Sequence, residues 1–158
     1  KIKKADKASA NASYSEIGEL KRQQSFALNG VYLHEAYFGV LGGDGKPTGP
    51  LVDSIKKDFG SYEEWEADFK SAGLAARGWV VLALDVNDGR LHNYSCDVHN
   101  QGGIWGAVPI IVLDVYEHAY FIDFGSDRKS YIEAFMKNLD WGAANNAFHN
   151  VICKLGKT

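Results

Sequence analysis

Apolar residues recur every three or four positions in the first and last parts of the chain, which predicts amphipathic helices there. Pro50 is suited to the first turn of a second helix, and Ser61 with Glu64 fits the capping box of a third. Further helical stripes run over residues 131–155. The first helix is expected over residues 20–41, with a core-facing stripe formed by Ala27, Val31, His34, Phe38 and Leu41.

The middle of the chain changes to a pattern typical of strands. Residues 79–86 form an apolar, partly β-branched run, the turn signal Asn87-Asp88-Gly89 follows, and residues 90–96 return as a second strand. A third strand is predicted at residues 108–114, after a glycine-rich loop. Helices, then a small antiparallel sheet of three strands, then helices again indicate an α+β fold rather than alternating βαβ units.

Composition excludes several classes of protein. The chain has 158 residues, 46% of them hydrophobic, which is enough for one compact domain or slightly more. With 17 basic and 20 acidic residues the net charge is −3, so neither nucleic acid nor an anionic membrane is an expected partner. No apolar run approaches the roughly 20 residues of a transmembrane helix. No secretory signal is visible, and two cysteines are too few for a disulfide framework, so we expect a cytoplasmic protein.

Three side chains are candidates for metal ligation, although each also has a commoner structural interpretation. Asp114 ends the third strand and His118 follows four residues later, so both can point toward one position. The pair also fits a helix-capping aspartate with an incidental histidine. His34 lies in the first helical stripe, where a hydrogen-bonded core histidine is the ordinary case. Spacing alone does not decide between these interpretations.

Longer motifs resemble those of the iron/manganese superoxide dismutases. DVYEHAYFIDF at 114–124 is similar to the family signature D-x-W-E-H-A-Y-Y-x-D-Y, and NGVYLHEAYFGVL at 29–41 is similar to its helix N-G-G-x-x-N-H-x-x-F-W. GPLVDSIKKDFGS, the segment around Trp79, HNQ at 99–101 and NLDWGAANNAF follow in the family's order. The resemblance extends from about residue 20 to about residue 153.

This resemblance implies a redox-active metal site. The reaction it implies converts superoxide to dioxygen and hydrogen peroxide by cycling a manganese or iron ion between two oxidation states. Two imidazoles and a carboxylate suit such a metal and leave room for bound solvent. By the resemblance, the metal ligands are His34, Asp114 and His118.

Further roles follow from the same resemblance. Gln101 corresponds to a glutamine that hydrogen-bonds metal-bound solvent, and its combination with Gly30 favours manganese modestly; an ordinary loop amide remains the alternative. Glu117 corresponds to a glutamate that reaches the partner subunit of a homodimer. A tetramer is the alternative oligomeric state. Arg128 corresponds to an arginine near the substrate funnel, or is a solvated residue at a helix start.

The sequence departs from the family at several positions. The family's first ligand, a histidine on an N-terminal helix, has no counterpart before His34. Because the chain lacks an initiating methionine and starts with a polar tract, we expect that helix to lie upstream of Lys1. Residues 1–43 would then be part of an N-terminal helical domain, and residues 44–158 a C-terminal α+β domain. Other differences are Tyr116 in place of tryptophan and Phe121 in place of tyrosine.

Two other functions remain consistent with the sequence. Two histidines and one carboxylate also form the facial triad of non-haem iron oxygenases, although the usual H-x-D pairing is lacking. A superoxide-dismutase-like fold without a complete metal site would instead be a non-enzymatic dimerisation or binding module. His99 is conceivable as a substitute fourth ligand, although we expect it to be exposed in a loop.

Overall fold

The computed structural model describes residues 1–155 and confirms the α+β fold. Short 3-10 helices are present at Ile2–Lys4 and Glu117–Ala119. Every helix within the described residues is too short or too polar to cross a lipid bilayer. The other elements are α1 (Glu16–Gly39), α2 (Pro50–Phe59), α3 (Tyr62–Ala75), β1 (Trp79–Asp85), β2 (Arg90–Cys96), β3 (Ala107–Asp114), α4 (Phe121–Phe124), α5 (Arg128–Lys137) and α6 (Trp141–Leu155).

The three strands form an antiparallel sheet in the order β2-β1-β3, with bounds within one residue of those predicted. β1 is central and buried along its whole length, as its continuous apolar run requires. Gly89 closes the β1–β2 hairpin with a φ of 71°, a conformation that glycine adopts without strain. A register shift places Pro109, which has no N–H, opposite Ala83. Beyond this shift, Asp114 at the end of β3 lies opposite Trp79 at the start of β1.

Helix α1 packs against the sheet with a different face from the one predicted. Its buried residues are Gly30, Leu33 and Tyr37, whereas Val31 and Phe38 of the predicted stripe are 53% and 66% exposed. The predicted core face is therefore wrong. Apolar side chains occupy two sides of α1, and helical periodicity alone does not tell which side meets the sheet.

The other helices begin where the sequence predicts. Pro50 is the first residue of α2, and the Ser61 Oγ accepts the Glu64 N–H at 3.0 Å to cap α3. The C-terminal stripes form α5 and α6. Residues of α1 share one hydrophobic core with α3 and the sheet, and the division into domains 1–43 and 44–158 stays a prediction.

Candidate metal centre

Asp114 has one carboxylate oxygen left for a metal, because its other oxygen accepts a hydrogen bond from the backbone. The residue ends β3 and is only 1% exposed. Its Oδ1 accepts the Tyr116 backbone N–H at 2.9 Å. Burial raises the pKa of Asp114, and the hydrogen bond from Tyr116 opposes that rise. A buried carboxylate of this kind requires a partner for its remaining oxygen, Oδ2.

His34 presents the ring nitrogen that a metal requires. On α1, its Nδ1 lies 2.6 Å from the Gly30 carbonyl oxygen, which can only accept a hydrogen bond. Nδ1 therefore carries the hydrogen, and Nε2 keeps its lone pair. This Nε2 lies 3.5 Å from the Asp114 Oδ2. A histidine whose second nitrogen donates to a backbone carbonyl is the usual arrangement of a histidine that ligates a metal.

His118 completes the group from the other side of Asp114. It lies in the 3-10 helix directly after β3, and its Nε2 is 3.0 Å from the Asp114 Oδ2. Its ring stacks on Tyr116 with an interplanar angle of 14°. The His118 side chain is 59% exposed, whereas the carboxylate beside it is buried.

The ligand atoms of these three side chains lie within 4.8 Å of one another. Two imidazoles and one carboxylate form a donor set that suits first-row transition metals such as manganese and iron. Backbone groups hold the Nδ1 of His34 and the Oδ1 of Asp114, so the His34 Nε2 and the Asp114 Oδ2 face the cluster. The His118 Nε2 hydrogen-bonds this Oδ2, and a metal ion would replace that hydrogen bond. The residues present therefore fit a mononuclear manganese or iron ion.

His99, expected in an exposed loop, instead lies half-buried beside this cluster. Its Nδ1 accepts the indole N–H of Trp79 at 3.0 Å, and its ring centroid is 5.7 Å from that of His34. Burial lowers the pKa of His99, which favours the neutral ring. Since Nδ1 is the acceptor, Nε2 carries the hydrogen, and it has no lone pair for a metal while the bond from Trp79 persists. His99 is therefore a hydrogen-bond donor beside the site rather than a substitute fourth ligand.

One signal in the sequence indicates that another part of the chain approaches α1 closely at Gly30. Gly30 is buried in the middle of α1, where glycine is less favourable than alanine by about 1 kcal/mol. A Cβ at this position would come within 3.1 Å of the His99 Cδ2. A glycine inside a helical pattern indicates such a close approach, but it does not identify the neighbour.

The structure does not bring Gln101 to the cluster. Gln101 is exposed, and within the described residues its hydrogen bonds use only the backbone, where it donates to the Val98 carbonyl and accepts from the Asp97 N–H. This tight turn directs His99 inward and leaves the glutamine two residues later at the surface. The contact between Gln101 and metal-bound solvent, and the preference for manganese that it implied, therefore stay predictions.

Arg128 and Glu117 also lie outside the group of ligand atoms. The Arg128 guanidinium donates to the Ala76 carbonyl at 2.7 Å and to the Tyr120 hydroxyl at 3.2 Å. Arg128 is half-buried and hydrogen-bonded, so it is not a fully solvated residue at a helix start. Its role near a substrate funnel stays a prediction. Glu117 is exposed next to His118.

Comparison with known proteins identifies the fold that carries this site. The family model for the C-terminal domain of iron/manganese superoxide dismutases matches residues 47–147. The superoxide dismutase [Fe] of Aquifex aeolicus is 43% identical over 150 residues, which cover 94% of this chain and 70% of that protein. The superoxide dismutase [Fe] of Cupriavidus metallidurans is 39% identical, with coverage of 88% and 72%.

A manganese-named relative is about as similar as these iron-named ones. The superoxide dismutase [Mn] 2 of Halobacterium salinarum is 42% identical over 125 residues, which cover 78% of this chain and 62% of that protein. The matched part of the chain includes the strand end, the 3-10 helix and the sheet that position Asp114 and His118. On the similarity of sequence, fold and site together, the chain belongs to the iron/manganese superoxide dismutase family.

Proposed function

We propose that the chain acts as a superoxide dismutase, with manganese or iron held by His34, Asp114 and His118. The observation that carries this proposal is the grouping of three ligand atoms, from a helix, a strand end and a 3-10 helix, within 4.8 Å of one another. The bound metal would supply the one-electron oxidation and reduction that dismutation requires. In total, two superoxide ions and two protons give one dioxygen and one hydrogen peroxide.

The residues of the chain bind and orient rather than exchange electrons. Asp114 brings one negative charge into a buried position, where it stabilises a bound cation strongly. His34 and His118 would each add one imidazole nitrogen as a ligand. The Nε2–H of His99 is available to donate a hydrogen bond to superoxide or to solvent near His34. Trp79 holds this donor in place through its own hydrogen bond.

The test is metal content and dismutation rate measured on the same preparation. We expect about one manganese or iron ion per chain and rapid loss of superoxide. Asp114→Asn is expected to lose both, because it removes the negative ligand while keeping the shape of the side chain. Asp53→Asn is the matched control, since Asp53 is exposed on α2. A metal-loaded protein that dismutes superoxide no faster than free metal would refute the proposal.

The competing non-enzymatic interpretation requires an incomplete site and receives no support from this convergence. An antioxidant role follows from the proposed reaction.

The cytoplasmic location stays a prediction from the sequence.

We further propose that the protein is a homodimer through the surface around His118. A ligand histidine with a 59% exposed side chain needs cover from water, and Glu117, Phe121 and Ile122 beside it are also exposed. Phe121 and Ile122 are 58% and 94% exposed, and exposed apolar residues that lie side by side mark interaction surfaces. Ile122→Asp is expected to convert the dimer to monomer in light scattering. An unchanged dimer would exclude this surface.

A further inference from the structure

Two buried tyrosines form a hydrogen-bonded chain behind Asp114. The Tyr131 hydroxyl on α5 donates to the Asp114 backbone carbonyl at 2.7 Å. The hydroxyl oxygens of Tyr37 and Tyr131 are 3.0 Å apart. Because the Tyr131 hydrogen is used on the carbonyl, the hydrogen of this second bond comes from Tyr37. The chain therefore has one direction, from Tyr37 through Tyr131 to Asp114.

Packing holds both tyrosines in place. Tyr37 and Tyr131 are 8% and 5% exposed, so water has little access to their hydroxyls. The Tyr131 ring stacks on Tyr120 with centroids 4.9 Å apart. The Tyr37 ring lies nearly parallel to that of Phe135, with centroids 6.0 Å apart. These contacts fix the two rings, so the hydroxyl oxygens of Tyr37 and Tyr131 are held within hydrogen-bonding distance of each other.

This connection joins the elements that carry two of the three candidate ligands. Tyr37 lies three residues after His34, about one turn along α1. Tyr131 reaches from α5 to the residue that ends β3 and bears the carboxylate. We propose that Tyr37 and Tyr131 are positioning residues that fix the His34 and Asp114 ligand atoms relative to each other and thereby set the affinity of the site for its metal. This inference rests on the proposed metal site.

A merely structural role for the tyrosines makes a different prediction. If the two hydroxyls only stabilise the fold, their removal lowers the stability of the metal-free protein and leaves the metal dissociation constant of the folded protein unchanged. If they position Asp114, their removal weakens metal binding in protein that is still folded. Partners of metal ligands that are removed by mutation commonly cost about 10–100-fold in affinity.

The experiment measures the manganese(II) dissociation constant of the intact protein by competition with a chelator, together with the electron paramagnetic resonance spectrum of the bound ion. We expect Tyr131→Phe to weaken binding by about 10–100-fold and to change the spectrum. Tyr37→Phe should weaken binding less, because Tyr131 keeps its bond to the carbonyl. The double variant should bind like Tyr131→Phe alone, because Tyr37 acts only through Tyr131.

Tyr94→Phe is the matched control. The Tyr94 hydroxyl also donates to an aspartate, the Asp85 Oδ2 at 2.9 Å, but at the β1–β2 hairpin. It should lower stability without changing metal affinity. Wild-type affinity in a folded Tyr131→Phe protein, or fully additive effects of the two substitutions, would overturn the inference alone. A wild-type protein that binds neither manganese nor iron would overturn the proposed function, and the inference with it.

Discussion

The bond from Trp79 to His99 can be tested by removing the indole N–H. In Trp79→Phe the Nδ1 of His99 loses its donor, and the ring is then free to carry its hydrogen on either nitrogen. The same substitution at Trp65 is a close control. Both tryptophans are fully buried, and the Trp65 indole N–H also donates to one side chain, the Asn93 Oδ1 at 3.1 Å.

The expected loss of stability is similar for the two variants. A hydrogen bond contributes about 1 kcal/mol. The two ring carbons that phenylalanine lacks contribute about 0.8 kcal/mol each when buried. The sum is about 2–3 kcal/mol, which for a chain of this length lowers the melting temperature by roughly 5–10 °C. Chemical or thermal denaturation of both variants measures this loss.

The position of the hydrogen on the His99 ring distinguishes Trp79→Phe from Trp65→Phe. Nitrogen chemical shifts of the imidazoles in metal-free protein should show His99 with its hydrogen on Nε2 in the wild type and in Trp65→Phe. Trp79→Phe should show a mixture of the two neutral forms. A wild-type His99 with its hydrogen on Nδ1, or an unchanged His99 in Trp79→Phe, would refute the assignment of His99 as a fixed donor.

Three further predictions concern metal, pH and helix capping. Metal at 100 times its dissociation constant should raise the free energy of unfolding of the wild type by about 2.7 kcal/mol. Calorimetry should show this increase in the wild type and not in Asp114→Asn. Burial and the hydrogen bond to Asp85 raise the pKa of Tyr94 to about 12, so the folded protein holds a proton there that the unfolded chain releases above about 10. Stability should therefore fall from pH 10 to 12 in denaturant titrations, and Tyr94→Phe should lessen that fall. Ser61→Ala should cost about 1 kcal/mol in urea unfolding, whereas Ser71→Ala, at an exposed position inside α3, should not.

The strands were predictable because local signals agree there. The run at 79–86 is β-branched and apolar, and the Asn87-Asp88-Gly89 turn sets where β2 begins, so the bounds of all three strands agree with the prediction within one residue. The convergence of Asp114 and His118 also depends on local spacing, four residues after a strand end. Prediction succeeded where short-range geometry decides the outcome.

Long-range packing decided the features that were missed. The buried face of α1 depends on which side meets β3, and the sequence near Val31 and Phe38 does not contain that information. His99 and Gln101 are two residues apart in one turn, and only the three-dimensional structure shows that the histidine faces inward. The Tyr37–Tyr131 contact joins residues distant in the chain, so no periodicity could reveal it.

The position of the candidate ligands along the chain also has a kinetic consequence. Asp114 and His118 are neighbours in sequence, but His34 joins them only after α1 has packed against β3, which closes a long loop. The unfolded chain therefore offers at most a two-residue local site, too weak to capture a metal early. Metal uptake is expected to follow folding. Because copper and zinc generally bind such ligands more tightly than manganese or iron does, the ion acquired then depends on which metals are available when folding is completed.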